Sequence, residues 1–352
     1  MKKVLLTGGG TAGHVTPNLA ILRLLRENSF EIHYAGTKSG IERELVNREG
    51  LPYHMVSAGK LRRYFDFKNF TDIFKIGVGF LQSLVLMIRL RPSVVFSKGG
   101  FVSCPVVWAA WLMRVPVVIH ESDITPGLAN RLSMPFAKKV CYSFPETGRY
   151  LRKKGVHTGL PVRQELYSGS AEEGRKISGF GSDKPAVLVI GGSQGSQMIN
   201  AAVRSALDDL LEEFCVCHLC GKGALVEKGY PGYCQFEYVN DELSHLLAMA
   251  DVVVARSGAT TLFELLALRK PSLLIPLFTG ASRGDQILNA NSFEKQGFSR
   301  TLLQQKMTPE TLSDNIRGLY KERYVLIAAM ERSEFVNGDK RVAEEIVSVV
   351  KK

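Results

Sequence analysis

Val4-Leu-Leu-Thr-Gly-Gly-Gly-Thr-Ala-Gly13 is the stretch whose reading decides the fold. A short apolar run ends in glycines, and a helical pattern follows. Apolar side chains without polar alternation suit a strand covered on both faces, and glycines let the backbone turn sharply at its end. The same opening recurs at Val187-Leu-Val-Ile-Gly-Gly-Ser193. Outward from the first, Glu31–Ala35, Val94–Ser97, Val115–His120 and Val140–Tyr142 read as strands, each followed by a loop and an amphipathic stretch. After the second come Phe214–Leu219, Phe236–Val239, Val252–Ala255 and Ser272–Pro276. Strands alternating with helices imply parallel sheets layered between helices.

A chain of 352 residues exceeds what one hydrophobic core serves. The repeated opening therefore predicts an α/β protein of two Rossmann-like domains, with parallel sheets facing across a cleft. The turn Gly159-Leu-Pro-Val-Arg163 and the polar Ser168–Lys184 stretch mark the boundary. Expected are a first domain over 1–162, a second over 163–340, and a C-terminal helix over 341–352. That helix carries Val342, Ile346, Val349 and Val350 on one side and should dock. Ligands of such sheets bind at the carboxyl ends of the strands.

Gly8-Gly-Gly-Thr-Ala-Gly13 matches the G-x-G-x-x-G pattern, in which a backbone close to a helix start meets phosphate. A nicotinamide dinucleotide would also require an acid at the end of the second strand. That strand instead runs into Gly36-Thr-Lys38, which argues against NAD. Further loops of the same kind are Gly191-Gly-Ser-Gln-Gly195 and Lys98-Gly-Gly-Phe101 with Ser103. Gly221-Lys-Gly223 lacks the spacing of an ATPase loop. Several loops in two domains fit a reaction with two diphosphates. Cys215, Cys217, Cys220 and Cys234 with His218 are irregularly spaced on an expected buried strand, where thiols act as small hydrophobes. Neither a metal nor a cofactor is expected.

Charge is unevenly placed. Residues 1–150 hold 20 Lys and Arg against 10 Asp and Glu, whereas 151–352 hold 25 against 24. A basic half suits an anionic partner that meets one domain only. No nucleic-acid reading motif is present, so nucleic acid is not expected. Tyr64-Phe-Asp-Phe67, Phe70, Ile73, Phe74, Phe80 and Leu81 lie among Arg62, Arg63, Lys68 and Lys75. Aromatics with interleaved cations suit the surface of an anionic membrane. The apolar run Ile76–Ile88, interrupted by Gly77, Gly79, Gln82 and Ser83, is expected to fall short of a membrane span. After Lys2 and Lys3 the apolar run stops at Thr7, so no export signal is expected.

Together, Gly9-Gly-Thr-Ala-Gly-His14, Gly99-Gly-Phe-Val-Ser103, His120-Glu-Ser-Asp123, Pro126-Gly-Leu-Ala-Asn130, Gly159-Leu-Pro-Val-Arg163, Gly191-Gly-Ser-Gln-Gly195, Arg256-Ser-Gly-Ala-Thr-Thr-Leu-Phe-Glu264 and Asp285-Gln-Ile-Leu-Asn-Ala290 form an ordered set. In kind, order and extent the set resembles the MurG family of N-acetylglucosaminyltransferases. The resemblance implies an inverting, metal-independent enzyme of the two-domain GT-B architecture. Its second domain would bind UDP-GlcNAc. Its first would sit peripherally on the cytoplasmic side of the cell membrane and receive lipid I, the undecaprenyl-pyrophosphoryl-MurNAc-pentapeptide. Transfer to the MurNAc C4 hydroxyl would give lipid II for peptidoglycan.

By the same resemblance, Thr11, Ala12 and Gly13 lie near the donor sugar and acceptor diphosphate, and Arg163 and Ser193 contact the donor diphosphate. Val239 would hold the uracil through its backbone. Ala259, Thr260, Thr261, Leu262, Phe263 and Glu264 would wrap the nucleotide, with Glu264 suited to accept from the ribose hydroxyls, and Gln286 would touch the GlcNAc hydroxyls. His14 is the first candidate for the base that takes the acceptor proton; Glu121 and Asp123 compete. Asp123 departs from the family, in which many members carry Asn. A carboxylate there could still take sugar hydroxyls, but it would repel a diphosphate placed too near.

Overall fold

The computed structural model describes residues 2–59, 68–192, 195–227, 229–278, 284–335 and 337–350, with backbone alone at 68–71 and 152. Among these residues, two all-parallel sheets form. The first contains β1 (Lys2–Thr7), β2 (Phe30–Gly36), β3 (Tyr53–Met55), β4 (Val94–Ser97), β5 (Val117–Glu121), β6 (Lys139–Tyr142) and β7 (Gly155–His157). The second contains β8 (Ala186–Ile190), β9 (Cys215–Leu219), β10 (Tyr233–Phe236), β11 (Val252–Ala255), β12 (Ser272–Leu274) and β13 (Ser299–Thr301). Their orders are β3-β2-β1-β4-β5-β6-β7 and β10-β9-β8-β11-β12-β13. In each sheet the winding reverses beside the first strand: Thr7 pairs with Ser97 between β1 and β4, and Ile190 with Ala255 between β8 and β11. At such a switch point adjacent loops leave in opposite directions and open a crevice.

The structure departs from the sequence reading at the sheet margins. β3, β7 and β13 are three-residue edge strands, the first two of mixed polarity and the last wholly polar, too short to display a periodic pattern. The strand expected over Phe236–Val239 instead runs Tyr233–Phe236. The Cys220 N–H donates to the Phe236 carbonyl at 2.9 Å, after which the chain turns away and leaves Val239 in a loop.

Two compact units divide the chain. One contains Met1–Arg163 with Asn337–Lys352, the other Gln164–Val336. Helix Gly338–Val349 returns to the first sheet, where Val342, Ile346 and Val349 join Val4, Leu6, Val94 and Val118 in one core. Each buried side chain of this size stabilises by roughly 1.5–3 kcal/mol, enough to hold a helix too short to persist alone.

Helix Lys68–Leu90 is continuous through both glycines. A Cβ on Gly79 would overlap the Ser57 carbonyl oxygen, and Ser57 N–H donates to Gln82 Oε1 at 2.8 Å. Gly79 thus permits close approach of the preceding loop without interrupting the helix. The expectation of a truncated apolar run is corrected accordingly: by length and composition alone, Asp72–Leu90 could cross a membrane. One side of it nevertheless packs on the first unit through Ser83, Met87 and Leu90.

Candidate active site

In the first unit the β1 loop is held from beneath. Tyr34 Oη donates to the Gly8 carbonyl at 2.8 Å, and Asn18 Nδ2 donates to Tyr34 Oη at 3.0 Å. Burial pushes the Tyr34 phenol pKa far up, so the group stays a donor. Glu42, fully buried, accepts the Gly10 N–H at 3.2 Å. The loop emerges with Thr11 exposed and Ala12–His14 in a single 3₁₀ turn, half-buried. The β4 loop meets it directly. Gly100 has φ +83°, and a Cβ there would overlap the Gly9 carbonyl oxygen, so only glycine fits.

The β5 end completes this cluster. His120 is fully buried, and its Nε2 donates to the Gly159 carbonyl at 2.9 Å. Burial, then the nearby Lys98 charge, holds its pKa well below the usual imidazole value. Glu121 turns inward: Oε1 accepts Asp123 N–H at 3.1 Å, and Oε2 accepts Gly127 N–H at 3.0 Å and Asn130 Nδ2 at 2.8 Å. Burial, then Asp123, pushes its pKa up. With these contacts Glu121 organises the turn, and Asp123, half-buried beside it, is the carboxylate nearer the surface. Arg163 is half-buried at the end of the same unit.

In the second unit, Gly191 and Gly192 follow β8; Ser193 lies outside the described residues. Gly195, at φ +74°, donates its N–H to the Gly192 carbonyl at 2.9 Å. Ser196 then caps helix Gln197–Ser205 by accepting from Ile199 N–H. From the β11 end, Arg256 donates to Ser196 Oγ at 2.7 Å and to the Ile275 carbonyl at 2.9 Å. One guanidinium thereby joins the ends of β8, β11 and β12.

Gly258 caps helix Ala259–Ala267. Thr260, Thr261 and Glu264 share its half-buried side, at i, i+1 and i+4. Leu262 and Phe263 turn into the core, where Phe263 stacks edge-on against Phe293, and Ala259 is buried too. Only the backbone of these three can serve a ligand. Gln286, at the start of helix Asp285–Lys295, accepts the Leu277 N–H on Oε1 at 3.1 Å, while its carbonyl accepts from Ser257 Oγ at 2.8 Å. Val239 sits buried in the loop after β10.

The structure therefore gathers His14, Thr11–Gly13 and the Asp123 turn at one switch point, and Gly191, Gly192 and Gly195 with Ala259–Glu264 at the other. Sequence reasoning missed Glu42 and, although it named Lys98 and Arg256 within motifs, gave neither a role of its own. Lys98 left a trace, as a cation directly after an apolar strand; Glu42 left none. The cysteines considered for zinc are free thiols, with Cys215, Cys217 and Cys220 buried and Cys234 half-buried.

Residues 4–142 match the glycosyltransferase family 28 N-terminal domain, and 186–346 the corresponding C-terminal domain. The chain is 54% identical over 336 residues to a Clostridium kluyveri protein, covering 95% of each. It is 50% identical over 354 residues to one from Clostridium tetani, covering 100% of this chain and 98% of the other. Both are named UDP-N-acetylglucosamine–N-acetylmuramyl-(pentapeptide) pyrophosphoryl-undecaprenol N-acetylglucosamine transferase. The crystal structure of Acinetobacter baumannii MurG superposes with a TM-score of 0.77 at 25% identity, covering 99% of this chain and 100% of that one.

Proposed function

This chain belongs to the MurG family of glycosyltransferases, and from that premise we propose that it transfers GlcNAc from UDP-GlcNAc to the MurNAc C4 hydroxyl of lipid I. The fold, two parallel-sheet α/β domains, is the GT-B architecture. The observation that carries the proposal is the coincidence of motif and topology. Each sheet sets a glycine loop and a second polar loop side by side at its switch point, where α/β sheets bind phosphorylated ligands.

In this reading the second unit holds the donor. The helix start at Gly258 favours the diphosphate, and Glu264 accepts from the ribose. The Val239 backbone takes the uracil, and Arg163 and Ser193 the phosphates. Gln286 contributes its remaining amide N–H groups to the sugar, since its oxygen already serves Leu277. The first unit holds the acceptor diphosphate against Thr11, Ala12 and Gly13. The acceptor oxygen attacks the anomeric carbon as the bond to UDP breaks, with that electron pair passing to the departing phosphate oxygen. His14 takes the hydroxyl proton, and the configuration inverts. This chain's residues supply the reaction without a metal in this reading.

The acceptor's lipid places the first unit at an anionic membrane, on the cytoplasmic side where the nucleotide sugar is available. Helix Lys68–Leu90 presents Ile73, Phe74, Val78, Leu81, Val85 and Ile88 along one exposed stripe, with Phe74 79% exposed. Trp111, Leu112 and Met113 are exposed at the end of helix Ser103–Leu112, which packs against it, and Lys75, Arg89 and Arg114 are exposed nearby. Such a surface suits partial insertion with cations at the headgroups. Phe80 instead packs half-buried on the first unit, against the buried cluster that contains Met87 and Val106. Arg62, Arg63, Tyr64 and Phe67 lie outside the described residues, as do the side chains of Lys68 and Phe70.

Purified protein incubated with UDP-GlcNAc and a short-chain lipid I analogue should release UDP in step with disaccharide formation. UDP release without disaccharide, or no turnover, sinks the assignment.

A further inference from the structure

Cys217 on β9 and Cys234 on β10 are Cα partners across adjacent parallel strands. Partners so placed point to the same face of the sheet, with Cα atoms about 5 Å apart, inside the roughly 4.4–6.8 Å that a disulfide spans. Both are free thiols, Cys217 buried and Cys234 half-buried. Among the described residues β10 is the edge of its sheet and pairs only with β9. A strand held from one side can be drawn inward as far as a bond between the two sulfurs requires.

The neighbouring thiols are placed differently. Cys215 lies beside Gly232, where a Cβ would come within 3.9 Å of its Sγ. Cys220 follows β9, and its Sγ donates to the Phe236 carbonyl at 3.4 Å. Cys217 and Cys234 instead hydrogen-bond to each other, which holds the Cys217 thiol pKa up and brings that of Cys234 down. Cys234 is thus both the more accessible sulfur and the more readily ionised one.

The pair also stands close to the glycine loop after β8. The Cys220 N–H donates to the Phe236 carbonyl at the end of β10, at 2.9 Å. The Cys220 carbonyl accepts from Asn200 Nδ2 at 2.8 Å, and a Cβ on Gly195 would overlap that oxygen. A shift of β10 against β9 therefore reaches Gly195 through a single residue, Cys220.

We propose that Cys217 and Cys234 form an oxidative modification site, which hydrogen peroxide closes to a disulfide and which, once closed, weakens UDP-GlcNAc binding at the loop after β8. The Cys234 thiolate attacks one peroxide oxygen and becomes a sulfenic acid, while the other oxygen leaves and is protonated to water. The Cys217 sulfur then attacks the Cys234 sulfur, and the hydroxyl departs with the Cys217 proton as a second water. Two thiols and one peroxide give one disulfide and two waters. A thiol reductant reverses the bond by exchange. The effect on the donor rests on the donor site assigned above; the bond itself does not.

The test treats wild type, Cys215→Ser, Cys217→Ser and Cys234→Ser with hydrogen peroxide, removes the excess with catalase, and maps unreduced peptides by fragmentation mass spectrometry. Wild type and Cys215→Ser should contain a Cys217–Cys234 cross-link, and the other two variants should lack it. Oxidised wild type should bind UDP-GlcNAc at least about fivefold more weakly by calorimetry, with recovery in dithiothreitol and no such change in Cys234→Ser. A cross-link from Cys234 to Cys215 or Cys220 in wild type, or sulfinic acid at Cys234 without a cross-link, overturns the pairing. A complete Cys217–Cys234 cross-link with unchanged affinity overturns the coupling to the donor loop. Should a variant fail to fold, the wild-type peptide map alone decides the pairing. Reduced wild type that does not bind UDP-GlcNAc refutes the donor assignment instead, and the cross-link is still read without substrate.

Discussion

Glu42 Oε2 accepts the Gly10 backbone N–H at 3.2 Å, although the two residues stand 32 positions apart. The other oxygen, Oε1, accepts the Thr37 N–H at 3.0 Å and the Thr37 hydroxyl at 2.5 Å. A fully buried carboxylate therefore joins the loop after β1 to the loop after β2. The Gly10 N–H is accordingly not among those a phosphate can use, which narrows the phosphate-binding role expected of the whole glycine loop.

Replacing Glu42 by Ala should be costly. Three donors lose their acceptor in a partly buried setting, where leaving even one unsatisfied costs up to about 1–3 kcal/mol. We expect Glu42→Ala to destabilise by roughly 2–4 kcal/mol, read as a lowered urea midpoint. A loss below about 1 kcal/mol would show that the loop keeps its form without this tie.

His14→Ala should lower kcat by about 10²–10⁴, the range a positioned base contributes. Binding of UDP-GlcNAc, assigned to the second unit, should stay within about twofold by calorimetry. A variant retaining more than a tenth of wild-type kcat would remove His14 from the role of base.

The exposed apolar stripe predicts lipid dependence. Phe74→Glu combined with Leu81→Glu removes two large exposed side chains and adds repulsion from anionic headgroups. Each such side chain contributes up to about 1.5–3 kcal/mol when fully inserted. Flotation with vesicles of mixed anionic and zwitterionic phospholipid should show at least tenfold weaker binding, with turnover of a soluble acceptor analogue preserved. Equal flotation of variant and wild type would move the membrane contact elsewhere.

Acid should weaken the second unit. His218 Nε2 donates to Asn200 Oδ1 at 3.0 Å, and its Nδ1 accepts from Tyr233 Oη at 3.0 Å. Burial, then Arg204, holds the imidazole pKa down at about 3. The folded state therefore stays neutral where the unfolded chain, with a histidine pKa near 6.5, takes up a proton. Stability is full above that unfolded value and declines as pH falls toward 3. The decline is at most about 1.4 kcal/mol per pH unit from this group. Buried His120 acts with the same sign. Urea midpoints should fall between pH 7.5 and 5, with a shallower decline in His218→Gln. Parallel curves for the two proteins would rule the residue out as a source.

The strands at the centre of each sheet were legible from the sequence because they are buried on both faces. Val4–Leu6, Val94–Ser97, Ala186–Ile190 and Val252–Ala255 can be little else than apolar runs, and glycines must follow where backbones approach closely. The motifs carrying the resemblance were legible for a related reason: their residues are contiguous in the chain. Tertiary structure alone decided which side chains of those motifs face outward, separating Thr260, Thr261 and Glu264 from Leu262 and Phe263. It also decided that Glu121 serves backbone amides, that Glu42 grips Gly10, and that the buried Lys98 meets Ser122. Those relationships join residues far apart in the chain. Local periodicity reports burial along one element, whereas hydrogen bonds and charge pairing depend on which elements the topology brings together.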